Sequence, residues 1–178
     1  GNHPTHPKRT IQAAWNTLPT LINENATIHL ADGVYRESVD MRGKSVIGDA
    51  TISIIGNPSS PNSVRVTGAD SGAETTSVRK TGFNAVNQTH LYIDGIRFDY
   101  FSEFGVLLYS GSSGEIRNCV FVDNFYGVRL TTSEVVCSDC DFTRSVFPLA
   151  KYPSGFVMGE RSIGRIKDCT LSNLRFGV

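Results

Sequence analysis

Residues 116–121 read IRNCVF, and this short pattern decides the fold because it returns through the second half of the chain. The other copies are at 93–98 (IDGIRF), 137–142 (CSDCDF) and 166–171 (IKDCTL). Each copy runs apolar, polar, then Gly, Asn or Asp, then apolar, variable, apolar. The copies begin 23, 21 and 29 residues apart, and short strands at such a period indicate a solenoid in which each repeat forms one coil.

A second pattern follows each copy at a nearly constant distance. It runs aromatic, Gly or Pro, apolar, and the four matches are FGV at 104–106, YGV at 126–128, FPL at 147–149 and FGV at 176–178. Chance is a poor explanation for two patterns that recur together. The sequence therefore predicts that each coil repeats the strands and turns of the coil before it.

Alternation within a copy predicts which side chains form the core. Ile116, Cys119 and Phe121 should point inward, while Arg117 and Val120 point outward. The third position should be a turn, since it holds residue types that accept a left-handed backbone at low cost: Gly95, Asn118, Asp139 and Asp168. Equivalent inward positions should then stack in two columns: Ile96, Cys119, Cys140 and Cys169 in one, and Phe98, Phe121, Phe142 and Leu171 in the other.

The beginning of the chain has a different period. An apolar stripe at i, i+3, i+4 and i+7 predicts an amphipathic helix: Ile11, Ala14, Trp15 and Leu18. Thr10 is placed to cap its amino end, and Pro19 either ends it or opens a second short turn through 20–22. From Ala26 the period changes to 2, and Gly-punctuated strands are predicted through Val66.

Composition and charge exclude several classes of protein. The chain has 178 residues with 17 Lys plus Arg and 17 Asp plus Glu, so its formal net charge is zero. No bulk charge attracts nucleic acid, and no apolar run approaches the roughly 20 residues that cross a bilayer. We therefore expect no nucleic-acid partner and no membrane insertion. The first residues lack a secretion signal and an initiator Met, so we expect a processed or excised piece.

The stacked pattern resembles the pectin-lyase-like superfamily. Members form a right-handed, single-stranded parallel β-helix, with three strands per coil, an Asn-type turn residue and an amino-terminal helix that plugs the open end. The resemblance implies an all-β solenoid of roughly five to seven coils. We expect an N-terminal extension (1–9), a capping helix (10–23) and a β-helix (24–178) that is truncated at its C-terminal end.

Narrower resemblances imply two functions. Residues 10–14 (TIQAA), 33–39 (GVYRESV) and 44–48 (KSVIG) are similar to the opening of pectinesterases. Residues 9–19 and 25–35 look more like bacteriophage tail-spike, tail-fibre and appendage proteins. This second resemblance implies a segment in the virion tail, trimeric and in contact with other tail proteins, that binds a host surface polysaccharide. The alternative is a secreted or cell-surface lyase or hydrolase that degrades an acidic polysaccharide.

Catalytic motifs of the known enzymes are incomplete. The Gly-x-Gln-Asp and Asp-Phe-Ile-Phe-Gly runs of pectinesterases are absent, and Asp141-Phe142 is explained by the repeat. Arg165-Ile166-Lys167 matches one polygalacturonase motif, but the partner motifs are missing and Ile166 has a core position. A lyase would need a base near carboxylates, for which the sequence offers Asp99, Asp123, Arg129 and Arg144. We therefore assign no catalytic residue.

Four cysteines permit a metal or redox interpretation. Cys137-x-x-Cys140 has the spacing of zinc and redox motifs, but Cys119, Cys140 and Cys169 share a predicted core column. Buried free thiols that pack as small apolar groups are the favoured interpretation. The prediction is accordingly no metal and no cofactor.

A row of outward side chains is the predicted ligand-binding site. If Val106, Val128 and Leu149 point inward, the neighbouring outward positions include Tyr109, Arg129 and Tyr152. Aromatic faces suit pyranose rings, and an Arg suits the carboxylate of an acidic sugar. The alternative is that these side chains face a neighbouring subunit of a trimer.

Overall fold

The structure of the chain is a computed structural model that describes residues 7–72, 76–143 and 154–174. In these ranges the chain forms one α-helix, α1 (Ile11–Thr17), one 3₁₀ helix (Pro61–Ser63) and nineteen short strands. The strands are β1 (Leu21–Ile22), β2 (Ala26–His29), β3 (Gly33–Tyr35), β4 (Val39–Asp40), β5 (Ser45–Val46), β6 (Ile52–Ile55), β7 (Val64–Thr67), β8 (Thr81–Val86), β9 (Leu91–Asp94), β10 (Arg97–Asp99), β11 (Phe104–Tyr109), β12 (Ser113–Arg117), β13 (Val120–Val122), β14 (Tyr126–Thr131), β15 (Glu134–Ser138), β16 (Asp141–Thr143), β17 (Ser154–Met158), β18 (Ile163–Lys167) and β19 (Thr170–Ser172).

Three parallel sheets run along the molecule, and each of the first five coils contributes one strand to each sheet, while the last described coil contributes β18 and β19 to sheets 1 and 2. Sheet 1 has the order β2-β6-β9-β12-β15-β18, sheet 2 has β3-β7-β10-β13-β16-β19 and sheet 3 has β4-β8-β11-β14-β17. Strands β1 and β5 form a separate parallel pair. Neighbouring strands in a sheet are therefore one coil apart in sequence, which confirms the predicted all-β parallel β-helix solenoid.

The predicted columns are confirmed. Phe98 pairs with Phe121, Phe121 with Phe142 and Phe142 with Leu171. The rings of Phe121 and Phe142 are stacked, with centroids 4.7 Å apart and planes inclined by 6°. Ile96, Cys119 and Cys140 are fully buried in the same core. One coil alone would expose these side chains, so the stack stabilises the coils jointly.

The turn between sheets 1 and 2 has the predicted left-handed backbone. The φ angles are 69° at Gly95, 48° at Asn118, 53° at Asp139 and 51° at Asp168. Asn118 also donates from Nδ2 to Asp94 Oδ1 of the preceding coil at 2.8 Å. The turn residue thus joins two coils and also bends the chain from sheet 1 into sheet 2.

The capping helix is shorter than the predicted 10–23. Thr10 caps it as predicted, with Oγ1 accepting from the Ala13 N–H at 3.0 Å. The helix ends at Thr17 because Leu18 precedes a proline and takes an extended conformation, with ψ of 144°. Residues 21–22 form β1 instead of a helical turn. The buried indole of Trp15 covers the end of the core, as predicted.

One predicted register is wrong. The sequence pattern placed Leu149 beside Val128, but Val128 pairs with Phe156 of β17. The repeat that begins at Cys137 is longer than the others. Its additional residues therefore precede β17, whereas the sequence pattern placed them after 147–149. Close packing favours this register: a Cβ on Gly127 would lie 2.6 Å from Gly155 O, and a Cβ on Gly155 would lie 3.1 Å from Phe142 Cβ, so both positions suit glycine. The predicted copy at 176–178 lies outside the described residues.

Candidate functional site

The outer side of sheet 3 carries the predicted ligand-binding residues. In β11 and β14, Val106, Leu108, Val128 and Leu130 are buried. The alternate side chains are partly exposed on the outer side: Leu107, Tyr109, Arg129 and Thr131. Leu107 pairs with Arg129, and Tyr109 pairs with Thr131. The structure thus brings Tyr109 and Arg129 to adjacent strands of one surface.

Two further aromatic rings lie at the beginning of these strands. Phe104 and Tyr126 are stacked, with centroids 5.7 Å apart and planes inclined by 13°. Phe125 meets Tyr126 edge-on at 4.4 Å, and the Arg129 guanidinium carbon lies over the Tyr126 ring at 5.7 Å from its centroid. We call Phe104, Leu107, Tyr109, Tyr126 and Arg129 the aromatic face. The Tyr126 ring positions the Arg129 guanidinium and is itself partly exposed.

A buried asparagine orders the turn that leads into β14. Asn124 is 7% exposed, accepts at Oδ1 from the Phe101 N–H at 3.1 Å and donates from Nδ2 to Phe98 O at 2.9 Å. These bonds tie its coil to the preceding one just before β14 begins at Tyr126. The position of the Tyr126 ring is therefore set by the turn rather than by its own contacts alone.

Asn84 adds an unsatisfied acceptor beside the aromatic face. It projects outward from β8 and pairs with Leu107 on one side and Asp40 on the other. Its Oδ1 is buried and has no hydrogen-bond partner among the described residues.

The third predicted ligand residue, Tyr152, lies outside the described residues. The register that placed it in the row is wrong, because the Gly159 N–H donates to Leu130 O at 2.7 Å and Val157 pairs with Arg129. The sequence pattern missed Phe104 and Tyr126. Both precede a glycine, and this repeated aromatic-Gly step was the available indication.

Sheet 2 carries a separate cluster of charged side chains. Asp99 has a fully buried side chain, and its Oδ2 accepts from Nε of Arg65 and Nε of Arg97, each at 2.7 Å. Its Oδ1 has no hydrogen-bond partner among the described residues. The ring of Tyr100 lies 5.8 Å from the Arg65 guanidinium carbon, and burial, then the charge of Asp123, raises the pKa of this phenol.

The predicted lyase group is only partly assembled. Asp99 and Asp123 both lie near Tyr100, but Arg129 is on sheet 3 and Arg144 lies outside the described residues. Two guanidinium groups bond to Asp99 Oδ2, so this side chain serves to hold them. Of the polygalacturonase-like triplet, Ile166 pairs with Cys137 and packs against the core, whereas Arg165 and Lys167 are exposed.

The cysteines form one connected thiol cluster, by which we mean Cys119, Cys137, Cys140 and Cys169. Hydrogen bonds from the thiols of Cys119 and Cys137 lower the pKa of Cys140. A hydrogen bond from Cys137 likewise lowers the pKa of Cys169. Burial and the hydrogen bond with Cys140 raise the pKa of Cys119 well above its usual value. The predicted core packing holds for three of them, while Cys169 is partly exposed.

A family model described as a right handed beta helix region matches residues 20–178. The chain belongs to this right-handed β-helix family. The match confirms the predicted handedness and extends over most of the chain. No match was found among curated proteins.

The chain is similar in structure to solved pectin methylesterases. The carrot pectin methylesterase superposes with a TM-score of 0.51 at 16% identity, over 91% of this chain and 60% of the enzyme. The pectin methylesterase from Yersinia enterocolitica gives a TM-score of 0.48 at 12% identity, over 90% of this chain and 66% of the enzyme. The chain thus spans about three fifths of the length of the carrot enzyme, and the likeness is one of fold.

Among the residues that the structure describes, no helix is long and apolar enough to cross a membrane. The aromatic face combines flat rings, a positioned guanidinium and a nearby unsatisfied acceptor, which are groups that recognise a ligand without requiring a reaction.

Proposed function

We propose that this β-helix binds an acidic polysaccharide through the aromatic face of sheet 3. The observation that carries the proposal is the stacked pair Phe104 and Tyr126 with Arg129 held over the second ring. Sugar rings bury their apolar faces on such aromatics, and a guanidinium binds a carboxylate through charge-assisted hydrogen bonds.

The arrangement along the strands suits a chain of sugars better than a single one. Leu107 and Tyr109 continue the surface from the Phe104 end of β11, and Asn84 lies one strand further toward β4. Adjacent strands are about 4.8 Å apart, so the surface offers several contacts at short intervals.

Affinity electrophoresis and calorimetry test the proposal with polygalacturonate as the acidic probe and dextran as the neutral one. We expect retention by polygalacturonate and weaker retention by dextran. Tyr126→Ala and Arg129→Ala should each weaken binding about tenfold, which corresponds to about 1.4 kcal/mol. The matched controls are Tyr92→Ala and Arg165→Ala, which remove exposed side chains of the same types from sheet 1.

Two results would contradict this site. Equal losses in the sheet 1 controls would show that binding does not depend on the aromatic face. Release of reducing ends or unsaturated sugars from the probe would favour the alternative, a polysaccharide-degrading enzyme of the hydrolase or lyase type.

We also propose the setting in which the β-helix acts. The similarity of residues 9–19 and 25–35 to phage tail proteins supports a tail spike or fibre segment that engages a host surface polysaccharide as a homotrimer. Sedimentation equilibrium tests the assembly, with an expected mass of three times the 19.4 kDa chain. If Tyr126→Ala dissociates the trimer and leaves sugar binding intact, the aromatic face is a subunit contact and the binding proposal fails.

A further inference from the structure

The thiol cluster contains three sulfur atoms in a compact triangle. The Sγ atoms of Cys137, Cys140 and Cys169 all lie within 4.8 Å of one another. Cys137 and Cys140 come from one coil, at the end of β15 and just before β16, and Cys169 comes from the next coil, just before β19. Cys119 contacts Cys140 from the preceding coil, with its N–H 3.4 Å from Cys140 Sγ, and lies outside the triangle.

The predicted cysteine column accounts for three of the cysteines but not for Cys137, although Cys137 is also buried. Cys119, Cys140 and Cys169 occupy one core column. Cys137 occupies a different column of sheet 1, in which the paired residues on the other coils are isoleucines: Ile28, Ile54, Ile93, Ile116 and Ile166. An isoleucine would fill this position as it does on the neighbouring coils. The cysteine instead places a third sulfur against Cys140 and Cys169.

We propose that Cys137, Cys140 and Cys169 bind one thiophilic metal ion of the Zn²⁺ class. Thiolates are the preferred protein ligands of soft and borderline ions, and Zn–S bonds are about 2.3 Å long. Three sulfurs at that distance from one ion lie at most about 4.0 Å apart. The observed triangle therefore needs to contract by less than about 1 Å, which side-chain rotation can supply.

The surroundings are compatible with loading of the ion. Cys140 Sγ lies 3.2 Å from Ser138 O and Cys169 Sγ lies 3.3 Å from Lys167 O, so neighbouring carbonyls hold both sulfur atoms in position. Metal ions bind cysteine as the thiolate. Cys169 is the partly exposed member and gives access from that side. Because the ligands come from two coils, the ion would join these coils covalently and raise the stability of this end of the described β-helix.

Cobalt titration under reducing conditions tests the proposal, because Co²⁺ replaces Zn²⁺ and reports thiolate ligation by a charge-transfer band. The chain of 178 residues is reduced, freed of metal and titrated with Co²⁺, and Zn²⁺ is then added. We expect one Co²⁺ per chain, a thiolate-to-cobalt band, loss of that band on addition of Zn²⁺, and a higher melting temperature with Zn²⁺.

The decisive variant is Cys137→Ile, since it restores the residue found at this position on the other coils. It should fold with unchanged circular dichroism and bind Co²⁺ more than about tenfold more weakly, without the band. The matched control is Cys119→Ala, which removes a neighbouring sulfur from outside the triangle and should retain the band.

Three results would overturn the proposal. They are failure of the reduced wild-type chain to bind Co²⁺, equal binding by Cys137→Ile, and loss of the band in Cys119→Ala when it persists in Cys137→Ile. A folded Cys137→Ile variant with wild-type melting temperature in the absence of metal would show that its loss of Co²⁺ binding is not a folding defect.

Discussion

Replacing Gly127 by alanine should destabilise the β-helix by forcing two strands apart. The added Cβ would lie 2.6 Å from Gly155 O and 2.7 Å from Phe142 Cδ1. A carbon and a carbonyl oxygen need about 3.4 Å, so the backbones must separate by about 0.8 Å in a sheet with about 4.8 Å spacing. Overpacking of this kind costs roughly 2–3 kcal/mol, and the melting temperature of a 178-residue chain should fall by about 4–12 °C.

Thermal unfolding followed by circular dichroism measures the effect, with Gly72→Ala as the control. A Cβ on Gly72 would have Asp70 Oδ2 as its nearest neighbour at 3.8 Å, so this control should unfold within about 2 °C of the wild type. Gly155→Ala tests the register itself, because its Cβ would meet Phe142 Cβ at 3.1 Å. If Gly155→Ala and Gly127→Ala both unfold like the control, the pairing of β14 with β17 is refuted.

Three further changes test the core, the charged cluster and the pH dependence. Phe121→Ala should lower the free energy of unfolding by about 3–5 kcal/mol because it opens a cavity inside the ring stack, and Phe121→Leu by clearly less; urea denaturation measures both. Asp99→Asn should cost roughly 2–4 kcal/mol in the same assay, since two guanidinium groups lose the buried carboxylate that holds them. Hydrogen bonds from Arg42 lower the pKa of Asp40, so the stabilisation by this carboxylate is complete above its unfolded pKa of about 3.9 and is lost as the pH falls through its lower folded pKa. Arg42→Gln should raise the pKa of Asp40 in a carboxyl NMR titration, and an unchanged value would contradict the assigned cause.

The parts of the fold that could be predicted are those encoded by a period of two. Inward Phe121 and outward Arg117 follow from alternation, and the left-handed turn at Asn118 follows from its residue type. The register between β14 and β17 did not follow, because 147–149 (FPL) satisfies the apolar pattern as well as β17 does. What decides is the close approach of two glycine backbones, which an apolar pattern does not encode.

The candidate site was predictable to the same degree. Tyr109 and Arg129 lie on the outer side of sheet 3 because they alternate with the buried side chains of β11 and β14. Phe104 and Tyr126 were missed because alternation counted back from Val106 would bury them. The pairing of β11 with β14 skips Gly105 and Gly127, which separate these aromatic residues from Val106 and Val128. The alternation changes phase at the glycines, so the two rings are partly exposed.

The same reasoning separates scaffold from function along the whole β-helix. A column position is constrained on every coil, so a residue that departs from its column without a packing reason is informative, as Cys137 is among isoleucines. An outward position has no such constraint, and its residue type is informative only when neighbouring coils combine into one surface. Phe104 and Tyr126 satisfy that condition because their rings stack between two coils, whereas Arg165 and Lys167 match a motif in sequence and remain exposed. Contact between outward side chains, rather than similarity of short motifs, is therefore the criterion on which we propose a binding surface on sheet 3.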